Sequence, residues 1–209
     1  MQDLFSIHHS VEAHPDISTP DPHQDTYSKS VLGFWIYLMT DCLLFTSLFL
    51  AYAVLHFNTF GGPGPAELFD LRIAFAETMF LLFSSVTCGL SVLSAVKGDN
   101  KKVMQWLIAT FVLGGLFIAM ELTEFRHLVL EGNSWERSAF LSSFFTLVGT
   151  HGLHVSVGLV WLLVMCGQIY AQSINVDTFR RLVIFSMFWH FLDLIWIFIF
   201  TFVYLLGVI

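Results

Sequence analysis

Eight ionisable side chains lie in apolar surroundings that disfavour them: Asp41, Glu77, Glu121, Glu124 and Asp193, with His151, His154 and His190. Carboxyl and imidazole groups can carry protons, act as general acids and bases, or ligate metal. Spacing narrows the choice. His151 and His154 in HGLHV, and His190 and Asp193 in HFLD, are three residues apart, so each pair shares a face if the segment is helical. Zinc proteolysis needs a glutamate base between its histidines, as in HExxH, and HGLHV lacks it. A membrane dihaem protein needs paired histidines on two facing helices at two depths, and the three deep histidines are one short. A Ser–His–Asp hydrolase is unsupported too, because no GxSxG occurs around Ser156 or Ser186. What remains is proton-bearing groups or polar contacts between helices. For His190 and Asp193 the expectation is a satisfied polar pair, since no nucleophile stands near.

The elements that position these groups follow from composition. The chain has 209 residues, 56% hydrophobic and only 12% charged, with 23 Phe. Soluble domains carry about 25% charged residues, so a soluble globule, a disordered chain and a nucleic-acid binder are all excluded. A membrane-crossing helix needs about 20 apolar residues. Five runs qualify, at 31–57, 71–96, 103–125, 138–168 and 180–209. GGPGP, KGDNKK and two polar connections containing Gly132 and Asn175 separate them. The fold class is therefore all-α: a polytopic bundle of five transmembrane helices, with no repeat of solenoid length.

Residues 1–30 form a polar, acidic tail that should be mobile. Its His8, His9, His14 and His23 offer at most adventitious metal binding. The tail lacks an apolar signal segment, so the first span must direct insertion itself. Lys29, Lys97, Lys101, Lys102, Arg180 and Arg181 fall on one side, against Arg72, Arg126 and Arg137 on the other. The positive-inside rule then predicts a cytoplasmic N-terminus and a C-terminus outside. Cys42, Cys88 and Cys166 lie in three different apolar runs and are expected to be reduced, buried small hydrophobes.

At 1.5 Å per residue, Asp41, His154, His190 and Asp193 should share a layer near the bilayer midplane. Glu77, Glu121 and Glu124 should lie nearer the outer surface, within reach of Arg72 and Arg126. Gly114, Gly115, Gly149, Gly152 and Gly158 would let helices approach, and Ser84, Ser85 and Thr150 could bond across them. Trp35, Tyr37, Trp106, Trp161 and Tyr204 fall where interfacial aromatic belts sit. Asp41, among Cys42, Leu43 and Leu44, should bond to His154 or to a backbone carbonyl, or else help hold a lipid headgroup or ordered water in a cleft.

Three stretches carry a family resemblance: GFWIYLMTDCLLFTSLFLAYA, GTHGLHVSVGLVW and FWHFLDLIWIFIFTFVYLLG. Together they resemble subunit III of the haem–copper terminal oxidases, over about Gly33 to Gly207. ETMFLLFSS and SAFLSSFFTLVGTHGLHV are most similar to the quinol-oxidising branch, the cytochrome o ubiquinol oxidases. The resemblance implies an accessory, non-redox subunit of a proton-pumping respiratory oxidase in a bacterial cytoplasmic (inner) membrane. Haem and copper would reside in subunit I, which would turn ubiquinol and oxygen over. Subunit I would be the direct partner, with subunits II and IV in the complex. The chain itself would hold no catalytic centre, metal or cofactor, apart from bound phospholipid. Its role would be assembly, stability, lipid binding and proton uptake. The resemblance places Asp41 where many members have a membrane-embedded glutamate. It also makes Glu124, His151, His154, His190 and Asp193 family-typical, whereas Glu77 and Glu121 replace the amides usual in cytochrome c oxidases. The alternatives are a short-form cytochrome c oxidase subunit III, an assembly factor, and, in another class, an independent proton channel or transporter. Unbroken spans without inverted repeats speak against a transporter.

Overall fold

The computed structural model describes residues 22–59 and 70–208, with 61, 64 and 68 between them. Five helices are long and apolar enough to cross a membrane. They are α1 (Pro22–Leu55), α2 (Leu71–Val96), α3 (Asn100–Leu130), α4 (Ala139–Gln172) and α5 (Val176–Ile199). A π-helical turn, Phe200–Leu205, continues α5 and runs into a last turn, Leu206–Val208.

Each start has a local cause. Pro22 opens α1 nine residues before the expected span, because proline's fixed φ suits the first helical position and its missing N–H is no loss there. The part of the tail expected to be mobile therefore holds helix over 22–30, while 1–21 lie outside the described residues. Asp70 Oδ1 accepts from the Arg72 amide at 2.9 Å, and the Ser138 hydroxyl accepts from the Leu141 amide at 3.2 Å. Both are N-caps that satisfy donors left open by the first turn. Asp99 caps α3 by accepting from the Lys102 amide at 3.2 Å. Bonds from the Lys102 side chain and backbone hold its exposed carboxyl below the usual aspartate range.

The ends also differ from expectation. α3 runs on to Leu130, because EFRHLVL contains no breaker before Gly132, which turns the chain at φ +78°. Ser173 ends α4 at φ 60°, ψ −177°, a region that essentially only glycine visits at low cost. Ser173→Gly is therefore expected to raise stability by about 1 kcal/mol. Thermal unfolding in detergent would check this, and an unchanged or lower midpoint would count against strain at that turn.

α2 and α3 pack most extensively, and α4 and α5 close the bundle against them. α1 is the least buried span and lies against α4 and α5. The helices are apolar nearly all round, so the core is marked by small and polar positions. Trp189 and Trp196 of α5 donate indole N–H bonds to Ser84 Oγ and Thr78 Oγ1 of α2, each at 3.0 Å. Thr87 and Thr110 bond across α2 and α3 at 2.8 Å. In lipid, such bonds and close packing replace the hydrophobic drive that holds soluble cores. Of the glycines expected at contacts, Gly114 and Gly158 flank the Trp189 ring and Gly152 abuts Glu121. Gly115 has open space, and Gly149 meets Phe125 only in ordinary contact.

Candidate functional site

The deep polar residues separate into three groups. The first joins α1, α4 and α5. His154 Nδ1 donates to the Thr150 carbonyl at 2.7 Å, which leaves Nε2 facing Asp41 Oδ2 at 3.7 Å. With the proton on Nδ1, a neutral ring and an ionised carboxylate would present two acceptors to each other. One further proton, on ring or acid, makes the approach attractive. At 3.7 Å this is proximity rather than a hydrogen bond, and Asp41 Oδ2 is buried without one. The expected Asp41–His154 meeting is present, then, but not the bond.

One turn away, His151 is fully buried and donates from Nε2 to the Leu192 carbonyl at 3.2 Å. Phe45, Phe117 and Trp196 surround its ring, with centroids at 6.4, 5.8 and 5.2 Å. His151 Nδ1 is buried without a hydrogen-bond partner. Among the described residues, no group of three or more His, Cys, Asp or Glu is arranged as metal donors.

The second group is Glu77 of α2 with Glu121 and Glu124 of α3. Glu77 is 0% and Glu121 2% exposed. The expected partners Arg72 and Arg126 do not reach them. Both arginines point outward from their helices and form no ion pair with these acids. Instead Tyr204 donates its hydroxyl to Glu124 Oε2 at 3.2 Å. Tyr204 is therefore not part of an interfacial belt but is fully buried, brought inward by the π turn. Glu121 fits the notch left by Gly152, where a Cβ would stand 2.5 Å from its Oε1.

Both Glu77 oxygens are buried without a hydrogen-bond partner. With no cation beside it, Glu77→Gln removes no ion pair and keeps the shape. It is expected to change stability by less than about 1 kcal/mol, whereas Glu77→Ala should cost about 2–3 kcal/mol through the cavity it leaves. Equal losses for the two variants in thermal unfolding would reveal a cationic partner.

The third group lies on the α2–α5 seam. His190 and Asp193 form no hydrogen bond or ion pair with each other, although they lie within electrostatic reach. His190 Nδ1 donates to the Ser186 carbonyl at 2.7 Å, one turn back on its own helix. Asp193 is buried, and its Oδ1 has no hydrogen-bond partner. The i,i+3 spacing places both on one side of α5, but the histidine's shorter route is to its own backbone.

The family model for cytochrome c oxidase subunit III matches residues 17–208. The chain belongs to this family. Among curated relatives, subunit 3 of the cytochrome bo(3) ubiquinol oxidase of Pseudomonas aeruginosa is 51% identical, over 95% of this chain and 95% of its own. Quinol oxidase subunit 3 of Bacillus subtilis is 42% identical over 93% of this chain and 96% of its own. Cytochrome c oxidase subunit 3 of Bacillus sp. strain PS3 is 42% identical over 85% and 86%. As a member of the cytochrome c oxidase subunit III family, the chain has homologues that are subunits of an oxidoreductase complex, and it carries five spans able to make it a multi-pass membrane protein. The site residues that sequence reasoning missed in this family member are Tyr204, Trp189 and Trp196. Ser84 and Thr78, two of several hydroxyl residues in α2, were the available signal, since each offers an acceptor for an indole N–H.

Proposed function

We propose that this chain is the non-catalytic subunit III of a quinol-oxidising haem–copper oxidase in a bacterial cytoplasmic membrane. In this reading its N-terminus lies in the cytoplasm and its C-terminus outside. It docks directly on the haem- and copper-bearing subunit I, with subunits II and IV completing the complex. Electrons pass from ubiquinol to oxygen through subunit I. This chain contributes assembly, stability, a lipid-facing surface and a supply of protons.

The observation that carries the reading is 51% identity, over nearly the full length of both chains, to a protein named as a ubiquinol oxidase subunit. A relative named for cytochrome c is 42% identical, as is a quinol oxidase subunit 3. The geometry agrees with a supporting role. One ring nitrogen of each of His151, His154 and His190 is bonded to a backbone carbonyl, at Leu192, Thr150 and Ser186 respectively. The polar groups hold helices together at mid-bilayer, where unpaired polar atoms are costly.

Purification through a tag on this chain tests the proposal. A haem-bearing subunit that oxidises ubiquinol, and not reduced cytochrome c, should co-purify. Activity with cytochrome c would move the chain to the other branch, and absence of any haem partner would remove the reading. Proton flux through the isolated chain in liposomes would favour a channel instead.

A further inference from the structure

Among the described residues, His190 differs from the hydroxyl side chains on the outside of the bundle. Thr40, Thr46, Ser47, Thr123, Thr146 and Thr201 each donate to a carbonyl three or four residues back, and so need nothing from outside. His190 is exposed, and it satisfies only one ring nitrogen in this way. The Ser186 carbonyl can only accept, so Nδ1 carries the proton, and in the neutral ring Nε2 is a bare acceptor.

That acceptor lies beside Gly89 of α2, whose missing Cβ would stand 3.9 Å from it. It sits near the middle of the Val176–Leu205 span. At that depth, about 20 Å from either end, lipid offers acyl chains and no donor. Lipid headgroups lie at the two surfaces. The flanks are open and apolar: Val86 is 56% and Leu194 51% exposed, on either side of the seam. A small hydroxylated molecule would be held there by a single bond, whereas a helix could lie along the seam.

The geometry points to the α2–α5 seam at His190 as the docking face for a transmembrane helix of another subunit of the same oxidase, one that carries a hydrogen-bond donor at mid-bilayer. Gly89 allows the close approach. Val86 and Leu194 supply the apolar rails, and Nε2 sets the depth at which the two helices register. Interhelical bonds in lipid are modest, so His190 fixes register more than affinity. This inference rests on the oxidase-subunit reading and adds the face by which the chain joins the complex.

The experiment uses the whole complex in native membranes. Photoreactive benzoylphenylalanine replaces Val86 or Leu194, leaving His190 in place, and adducts are identified by mass spectrometry after illumination. In parallel, the haem that co-purifies with this chain is measured for wild type, His190→Leu and His190→Gln. The expected result is adducts from both positions on a transmembrane segment of another oxidase subunit. His190→Leu should also release the partner about three- to tenfold more readily, with His190→Gln restoring much of the loss because its amide oxygen is again an acceptor. Adducts confined to lipid, quinone or a second copy of this chain overturn the docking face, as does equal retention by all three chains. If haem co-purifies with wild type but no subunit adduct forms, the face is wrong and the oxidase reading stands. If no haem subunit co-purifies with wild type, both fall.

Discussion

Trp189→Ala is expected to be the most damaging single substitution in the core, costing about 3 kcal/mol. The indole is 1% exposed and lies between α3 and α4. A Cβ at Gly114 would stand 2.9 Å from its Cζ2, and one at Gly158 would stand 2.9 Å from its Cζ3. Its N–H reaches Ser84 on a third helix at 3.0 Å. Truncation therefore empties a space shared by three neighbours and leaves the Ser84 hydroxyl with only its bond to the Leu81 carbonyl. Soluble Trp→Ala substitutions cost about 3–5 kcal/mol. The low end applies because lipid removes the water-transfer contribution. Trp189→Phe keeps most of the volume and loses the bond, so a cost of about 1 kcal/mol is expected. Thermal unfolding of the purified protein, with retention in the complex as a second readout, checks the order. A Trp189→Ala chain as stable as wild type would show that the bundle collapses freely into the gap.

Gly152→Ala is expected to cost about 2 kcal/mol, within the range for overfilling a packed interior. The added Cβ would lie 2.5 Å from Glu121 Oε1 and 2.9 Å from Oε2, so the carboxyl must move. Glu121 has little room to do so, being 2% exposed on a helix face closed by α4. Shortening that side chain should relieve the clash. The Gly152→Ala, Glu121→Asp double variant should recover at least half of the loss, although Glu121→Asp alone is destabilising. This coupling is the test. Additive losses in the double-mutant cycle would place the two groups apart.

How much of this was legible before the fold was known depended on the kind of signal. Helix number came from interruptions such as GGPGP and KGDNKK, and α2 begins and ends where the apolar run does, at Leu71 and Val96. Depth was also readable, because rise per residue is fixed. Asp41 and His154, expected in one layer with His190 and Asp193, do face each other across α1 and α4. Direction around each helix axis was not readable. Spans that are apolar on every side leave no amphipathic stripe, so nothing told which way His190 points or that Arg72 turns away from Glu77. The π turn was equally hidden, since FTFVYL resembles any apolar helix end. Charge attraction suggested arginine partners for the acids. A tyrosine already buried beside Glu124 needed no journey to the surface and took that place.

The turn at Phe200–Leu205 makes the end of the chain sensitive to counting. A π-helical turn accommodates an extra residue compared with an α-helix. Deleting one residue there would restore ordinary winding and leave everything beyond it facing as before. An inserted residue elsewhere in α5 meets no such slack and would swing Tyr204 by about 100° off Glu124 toward a different neighbour. A single-codon deletion within the turn can therefore be absorbed at this end of the span, whereas a single-codon insertion upstream of Tyr204 cannot.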